Sequence, residues 1–232
     1  YEIDTTKHIL DRAMVLSGSR YGNGYVINTV DGFDLAANDW ERARTYPDMP
    51  NAVGQVPGVA MTLNRTTGEV YAFGYFDAYR WSPSSNSWST RLSGTAFNAQ
   101  YAASALDTKR NRILLVGGDA SIKAIYDLSS NTMQAVTLSG ADAGALNGDG
   151  NGMVYDPLQD AFLLRKPEAG NAVYRINAGT LAVDRMPSGS TGTQIPSAIN
   201  GVWTRFLYVP ALKGVVYFPA YSGNMWFHRT NC

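Results

Sequence analysis

A polar side chain precedes each of five apolar strand segments in this 232-residue chain. Four of these side chains are amides and the other is an imidazole: His8, Gln55, Gln100, Asn151 and Asn200. Amide groups both donate and accept hydrogen bonds, which suits the hydroxyl groups of a sugar. Tyr101 and Trp203 lie nearby in sequence and offer faces on which a sugar ring stacks. The alternative is that the polar residues cap strand ends or hold water.

The strand segments behind these residues recur with a regular period. Each copy consists of an apolar strand, a polar turn and a second apolar strand. The matched positions are 47, 43, 49 and 53 residues apart: Leu16, Leu63, Leu106, Tyr155 and Tyr208. A period of this length that is built from strands alone is typical of a β-propeller and not of a helical solenoid.

A second sequence column has the same period. It reads FDLAANDW (33–40), WSPSSNSW (81–88), YDLSSNTM (126–133) and YRINAGTL (174–181). The first residue is aromatic, the sixth is Asn or Gly, and the eighth is Trp, Met or Leu. Because Asn and Gly tolerate the positive φ of a tight turn, each copy is predicted to be a hairpin. Asp34 and Asp127 are predicted to accept hydrogen bonds from amides of their own turns.

One of the copies resembles a kelch repeat. LLVGGD (114–119) contains the pair Gly117-Gly118 and is followed by IYDLSSNTM, whereas the other four copies lack the double glycine. GMVYDPLQDAFLL and RFLYVPALKGVVYF are similar to segments of bacterial proteins that are grouped with the galactose-oxidase central-domain propellers. The resemblance implies a β-propeller with four-stranded antiparallel blades, and it implies the fold more than a function.

The two ends of the chain complement each other. The last copy supplies three strands, while YEIDTTKHIL (1–10) supplies one strand ahead of the first copy. Pairing of residues 1–10 with the last blade would close the ring and remove exposed sheet edges. The alternative is a leader segment on a fragment. We therefore expect one all-β domain, residues 1–232, which is a five-bladed propeller with blades at about 11–50, 51–95, 96–140, 141–190 and 191–232 plus 1–10.

Composition excludes several classes of partner. Nineteen basic and nineteen acidic residues cancel, which argues against binding to nucleic acid or to an anionic membrane surface. No apolar run approaches the length of roughly 18–20 residues that a membrane span needs, so no membrane insertion is expected. Charged residues make up only 16% of a chain that is rich in Gly and Tyr. Such a composition is common in exported proteins, and we expect an extracellular or secreted location.

Residue types that carry catalysis are scarce. The chain has no GxSxG, HExxH or phosphate-loop motif, and we assign no catalytic residue. The copper site of galactose oxidase needs a Tyr–Cys crosslink and two histidine ligands; it is not carried over, because the single cysteine is the terminal Cys232 and the histidines are only His8 and His228. A pair of loop carboxylates could still serve a glycosidase. The candidates are Asp48, Asp77, Asp119, Asp142, Asp149 and Glu168.

NGDGNG (147–152) mimics the first half of a calcium-binding loop. Asn147, Asp149 and Asn151 stand at alternate positions, as calcium ligands do in an EF-hand. Leu158 occupies the twelfth position, where a bidentate Glu belongs, so the EF-hand pattern fails. A looser calcium site is the alternative to a plain Gly/Asn turn. The plain turn is favoured, and no cofactor is expected.

Loop lengths indicate which face of the propeller binds a partner. Loops from the fourth strand of one blade to the first strand of the next are long and polar, whereas the turns on the opposite face are short and charged. The leading hypothesis is a secreted or surface-exposed, lectin-like module that binds a glycan or another small polar ligand at this mouth. The alternatives are a polysaccharide lyase or glycoside hydrolase, and a kelch-type scaffold with a protein partner at the apolar loop tips Pro47, Met49 and Pro50.

Overall fold

The computed structural model of the chain contains strands and short 3₁₀ turns. It describes residues 12–16, 30–34, 39–40, 46–50, 58–90, 92, 97–168, 170–187, 194–198, 201–220 and 223–230, with backbone only before residue 46. The predicted closing strand 1–10 and the predicted site residues His8, Gln55 and Asn200 lie outside these ranges. None of the helices in the described ranges is long and apolar enough to cross a membrane.

The described strands form five antiparallel sheets, each of which runs in chain order. The first sheet contains β1 (Arg12–Leu16), β2 (Val30–Asp34) and β3 (Asp39–Trp40). The second contains β4 (Ala60–Asn64), β5 (Glu69–Phe73), β6 (Ala78–Ser82) and β7 (Ser87–Trp88). The third contains β8 (Ala102–Asp107), β9 (Arg112–Gly117), β10 (Ile122–Asp127) and β11 (Thr132–Ala135).

Two more sheets follow along the chain. The fourth contains β12 (Gly152–Asp156), β13 (Ala161–Arg165), β14 (Tyr174–Asn177) and β15 (Val183–Arg185). The fifth contains β16 (Phe206–Val209), β17 (Gly214–Tyr217) and β18 (Trp226–Arg229). Single 3₁₀ turns occupy Ala143–Leu146, Trp203–Arg205 and Pro210–Leu212. The antiparallel, four-stranded architecture is therefore confirmed for three sheets, and the number of blades in a ring is not.

The first and fifth sheets each have three described strands. In the first sheet β1 pairs directly with β2, whereas the sequence pattern pairs residues 13–16 with a strand within 25–29, which is outside the described residues. In the fifth sheet β18 pairs with β17, and no other described strand pairs with it.

Among the described residues the predicted hairpin turns form in the two copies that have Asn in the sixth position, whereas the turn of the first copy, residues 35–38, lies outside them. Asn86 and Asn131 have φ angles of 45° and 54°, as the turn requires. Asp127 Oδ1 accepts hydrogen bonds from the amides of Ser129 and Ser130 at 2.9 and 2.8 Å, as predicted. The hydrogen bonds from Ser130 are the main reason why the pKa of Asp127 lies below its usual value.

The register of the fourth copy differs from the prediction by two residues. Leu181 takes the positive φ of 59°, and the predicted Gly179 does not. Asn177 Oδ1 accepts hydrogen bonds from the amides of Gly179 and Thr180, both at 2.9 Å, as Asp127 does in its own turn. The copy therefore begins at residue 176 and not at 174. The alignment on an aromatic first residue was wrong because an Asx side chain sets the position of the turn.

The chain divides into two compact units, residues 1–100 with 131–133 and residues 101–130 with 134–232. In the first unit Tyr46 packs edge-on against Trp81 with ring centroids 5.9 Å apart. Met49 belongs to the same cluster and is only 1% exposed. The prediction that Met49 is an exposed loop tip was wrong, because its side chain contributes to this core.

In the second unit the fourth sheet is buried on both faces. Phe162 and Leu164 of β13 pack in a cluster with residues of the third sheet, while Leu163 between them packs in a cluster with residues of the fifth. Alternate side chains of a strand point to opposite faces, so a strand between two sheets must be apolar throughout. This explains why β13 is buried along its whole length and reads AFLLR instead of alternating with polar residues.

A buried carboxylate links the third and fourth sheets at the edge that carries the β8–β9 and β12–β13 turns, here called the turn edge. Asp107, which is 0% exposed, accepts hydrogen bonds from the amides of Lys109 and Arg110 at 3.1 Å. Arg110 Nη1 and Arg112 Nε donate to Asp107 Oδ2 at 3.0 and 3.1 Å. Arg110 also donates to both oxygens of Asp160 at 2.7 and 2.6 Å. These bonds from Arg110 hold the pKa of Asp160 well below its usual range.

We expect Asp107→Ala to lower the free energy of unfolding by about 3 kcal/mol, because the substitution leaves two partly buried guanidinium groups and two backbone amides without their buried acceptor. The matched control is Asp127→Ala, which removes a similar turn-capping carboxylate that has no ion pair and should cost about 1 kcal/mol. Urea unfolding followed by tryptophan fluorescence measures both. Equal losses in the two variants would show that the link between the sheets contributes nothing.

Candidate functional site

The predicted working face corresponds to one edge of the sheets, here called the loop edge. Loops between second and third strands meet the segments that enter first strands there. Gly118 N donates to Gly148 O at 2.8 Å, and Ala198 N donates to Pro167 O at 2.7 Å, both within the second unit. In the first unit Ala99 N donates to Gly74 O at 3.0 Å. These bonds place the two kinds of loop on the same edge, as the sequence predicted.

Two predicted ligand-binding aromatic residues contact each other on the loop edge of the second unit. The ring centroids of Tyr101 and Trp203 are 5.6 Å apart, the rings are tilted by 46°, and both side chains are partly exposed. Tyr101 directly precedes β8, and Trp203 begins the 3₁₀ turn that leads into β16. The structure therefore brings together two residues that are far apart in sequence.

Both aromatic residues have a left-handed backbone. Their φ angles are 60° for Tyr101 and 47° for Trp203. This conformation is rare for bulky residues and typically costs about 1–3 kcal/mol. Such strained residues persist where the surrounding structure fixes them, and they cluster at functional sites. The fold thus fixes the place of both rings at a cost in backbone energy.

Glycines form the floor beneath Trp203. A Cβ atom on Gly201, whose φ is 89°, would lie 2.2 Å from Trp203 Nε1 and 2.9 Å from the Cα of Gly150. Val202 N donates to Gly150 O at 2.6 Å. Arg205 Nη1 donates to Pro219 O at 2.7 Å, and its other terminal nitrogen donates to Gly201 O. The indole therefore rests on backbone that is held from both sides.

Asn151 supports this loop and does not line its surface. It is 1% exposed, and its Nδ2 donates to Gly148 O at 3.2 Å and to Leu146 O at 3.5 Å. Its Oδ1 has no hydrogen-bond partner among the described residues. A Cβ atom on Gly117 would lie 2.7 Å from this Nδ2. Of the two interpretations offered by the sequence, strand-end capping describes Asn151 and ligand contact does not.

The other predicted amide in the described chain is Gln100. Its side chain is partly exposed, and its backbone amide donates to Asn98 Oδ1 at 2.9 Å. It closes the first unit, directly before Tyr101. The ring of polar side chains proposed from the sequence is therefore described at two of its five positions, and only Gln100 of these two reaches the surface.

The calcium-loop pattern forms a turn. Asn147 Oδ1 accepts a hydrogen bond from Lys123 Nζ at 2.5 Å, so an ammonium group stands where a metal would have to bind. Asp149 is exposed, and Gly148 and Gly150 have φ angles of 89° and 72°. Among the described residues no group of three or more His, Cys, Asp or Glu side chains is placed to hold a metal. These contacts support the plain turn.

Sequence reasoning missed Arg165, which ends β13. Its side chain is only 2% exposed. Arg165 pairs with Gly152 in the fourth sheet, and the equivalent pair in the third sheet is Gly117 with Ala102. Arg165 therefore occupies the position that Gly117 has in the third sheet. Its guanidinium carbon is 4.8 Å from the centroid of the Tyr217 ring. Burial lowers the pKa of Arg165. The only sequence signal was the pair RK at the place of the double glycine.

We expect Gly201→Ala to displace the indole of Trp203, because the new methyl group would overlap Nε1 and the φ of 89° disfavours any side chain. Tryptophan fluorescence should shift, and the free energy of unfolding should fall by about 1–3 kcal/mol. The matched control is Gly144→Ala in a 3₁₀ turn of the same unit, where nothing lies within 4 Å of the added carbon. Unchanged fluorescence in Gly201→Ala would contradict the packing described here.

No family model matches the chain, and no curated protein sequence matches it. Solved structures do resemble it. The structure of YjhT has a TM-score of 0.62 at 14% sequence identity, covering 89% of this chain and 73% of YjhT. A fungal alcohol oxidase of the AA5 family, in complex with copper, has a TM-score of 0.55 at 15% identity.

The oxidase comparison covers 91% of this chain and 46% of the oxidase, so the chain spans less than half the length of that enzyme. At such identities the likeness concerns the fold alone. The fold of this chain is that of a β-propeller with antiparallel blades.

Proposed function

We propose that this chain is a ligand-binding propeller and that a carbohydrate binds at the loop edge of its second unit. The contact between Tyr101 and Trp203 carries the proposal. Two partly exposed rings, 5.6 Å apart and tilted by 46°, offer adjoining faces at an angle to each other. The apolar face of a sugar ring packs well on such surfaces, while polar groups around the rings bind its hydroxyls.

Polar groups flank the aromatic pair. Lys166 Nζ and Glu168 Oε1 form an ion pair at 3.0 Å on the two sides of Pro167. Pro167 Cγ lies 3.5 Å from the position of a Cβ on Gly150, which in turn contacts Gly201 beneath the indole. Both charged side chains are at least partly exposed. They are hydrogen-bond donors and acceptors on either side of the residue that packs on Gly150, and a sugar requires such groups.

We also propose an extracellular or surface-exposed location. The support is compositional: a net charge of zero, 16% charged residues and an abundance of Gly and Tyr. Binding, not catalysis, is preferred because the feature that the fold fixes at the loop edge is an aromatic surface. A protein-interaction role at the loop tips is less favoured since Met49 is buried.

A glycan array followed by calorimetry tests the carbohydrate site. For a glycan that binds, we expect Trp203→Ala to weaken binding about tenfold or more, because truncation of a buried or half-buried aromatic contact usually costs over about 1 kcal/mol. The control is Leu158→Ala on the turn edge, which removes another apolar side chain that is 61% exposed and should leave binding unchanged. Absence of binding to any glycan would contradict the proposal.

We further propose that residues 1–10 form the fourth strand of the fifth sheet and close a five-bladed ring. The second, third and fourth sheets each carry a strand outside their third strand, whereas β18 pairs with β17 alone among the described residues. Large apolar side chains remain exposed on this sheet: Met225 is 61% and Phe227 48% exposed. A pairing segment would cover part of that surface and the open edge.

Deletion of residues 1–10 should lower the melting temperature by about 10 °C or more, because an apolar sheet edge would then face water. A synthetic peptide of sequence YEIDTTKHIL, added in excess, should restore part of the lost stability by mass action. The control is the same peptide with Ile3 replaced by Pro, which cannot donate at that position of a strand. Unchanged melting of the truncated chain would contradict closure.

A further inference from the structure

We propose that the Arg165 guanidinium binds a monovalent anion through its Nε hydrogen. The anion is either a free inorganic ion or the carboxylate of an organic ligand. This site is separate from the stacking surface of Tyr101 and Trp203. Binding of a free ion there does not depend on the proposed carbohydrate binding, whereas binding of a sugar carboxylate rests on that proposal.

The hydrogen bonds of Arg165 use its two terminal nitrogens and leave its Nε unused. Nη1 donates to Ala172 O at 3.0 Å, and Nη2 donates to Glu168 O at 3.3 Å. The ring of Tyr217 lies against the guanidinium carbon at 4.8 Å. Nε is buried and has no hydrogen-bond partner among the described residues. A guanidinium can donate five hydrogen bonds in a fixed planar arrangement, so the direction of the free donor is set by the two bonds already made.

Arg165 also forms no ion pair among the described residues, and the Glu168 carboxylate stabilises its charge without contacting it. Its described hydrogen-bond partners are backbone carbonyls, and the nearby carboxylate of Glu168 is paired with Lys166 at 3.0 Å. The Arg165 side chain is almost wholly buried, at 2% exposure. Burial of a cation is costly unless an anion accompanies it, and a ring face replaces only part of the lost hydration. Water would satisfy the donor but not the charge. An anion satisfies both, and the electrostatic balance therefore favours an anion.

The position of Arg165 gives such an anion a place on the loop edge. Arg165 pairs with Gly152, and a Cβ on Gly152 would lie 2.7 Å from Trp203 O and 2.6 Å from a methyl group of Val202. The loop that follows Arg165 supplies the two carbonyls that hold its guanidinium and is itself bonded to residue 195, through Gly170 N and Ile195 O at 2.9 Å. Arg165 is thus next to loops of the same edge that carries the aromatic pair.

Crystals of the full chain soaked in sodium bromide test the site directly. We expect an anomalous peak in hydrogen-bond contact with Arg165 Nε at the bromide absorption edge. A well-ordered water at Nε without an anomalous peak would overturn the proposal, as would bromide at surface lysines alone. This measurement uses the unaltered protein and does not depend on whether a variant folds.

Calorimetry distinguishes the two sources of the anion. The probes are galacturonate and galactose, which differ by a carboxylate. If the carboxylate of a ligand reaches Arg165, galacturonate should bind about ten- to hundredfold more tightly than galactose, the usual effect of a charge-assisted hydrogen bond. If the anion is a free ion, the two sugars should bind equally and bromide should occupy Nε. Both results support an anion at Arg165.

Arg165→Met is the matched variant, since it keeps an unbranched apolar stem without the charge. It should abolish both the bromide peak and any preference for galacturonate, provided that circular dichroism shows a folded protein. A folded variant that retains the preference would overturn the proposal. Trp203→Ala separates the two sites, because it should weaken the binding of both sugars and leave the bromide peak in place. Loss of sugar binding with bromide retained would therefore test the carbohydrate proposal alone.

Discussion

The buried carboxylate that ends β8 is the interaction on which the described arrangement of the third and fourth sheets depends. Asp107 stabilises its own turn by accepting hydrogen bonds from two backbone amides, and it also accepts a hydrogen bond from Arg110. The same guanidinium donates to Asp160 of the next sheet. Tyr155 also donates to Asp160 at 2.8 Å, and burial raises the pKa of Tyr155. A buried ion pair by itself is weak support for stability, but each group here also has hydrogen bonds that its neighbours cannot replace.

The same position is used again in the next repeat with different chemistry. Asp156 ends β12 and accepts from Leu158 N at 2.9 Å, and its other oxygen accepts from Thr230 Oγ1 of the fifth sheet at 2.9 Å. Asn64 ends β4 and accepts from Thr66 N at 3.0 Å. An Asx residue at the end of the first strand thus closes the turn in three sheets, and in two of them it also reaches the neighbouring sheet. Because hydrogen bonds at the turn edge hold the sheets in register, strand ends at the loop edge can differ in residue type from one sheet to the next.

The loop edge shows this tolerance in one pair of register positions. In the third sheet Ala102 faces Gly117, where a Cβ atom would lie 2.4 Å from Gly148 O. In the fourth sheet the glycine has moved to the first strand as Gly152, and the second strand ends in Arg165. In the third sheet this position requires glycine, because the loop at Gly148 approaches it closely. In the fourth sheet the corresponding position holds the buried cation of Arg165. A kelch-like glycine pair would have left no side chain there.

How far the sequence predicted these features depends on whether they are local. The strand pairs and the turns of Asn86 and Asn131 follow from residues within one hairpin, so their pattern was readable and confirmed. The fourth copy was misplaced by two residues because Asn177, and not the aromatic Tyr174, determines the turn. For Asn151 the sequence left ligand contact and strand-end capping open, and its hydrogen bonds to Leu146 O and Gly148 O support capping. Met49 was named as a loop tip, but it is buried in a cluster with Trp81, which is distant in sequence. No local pattern encodes such contacts.

The contact between Tyr101 and Trp203 differs from the ring of amides that was predicted at the mouth. Amides in front of first strands suggested a polar mouth, yet the described residue of that kind in the second unit, Asn151, is used to hold its own loop. Tyr101 and Trp203, in contrast, are partly exposed, and each is at a left-handed position that glycine or asparagine adopts with less strain. A left-handed backbone under both partners of one contact supports the proposed binding surface, because strained residues persist where the surrounding structure fixes them and they cluster at functional sites.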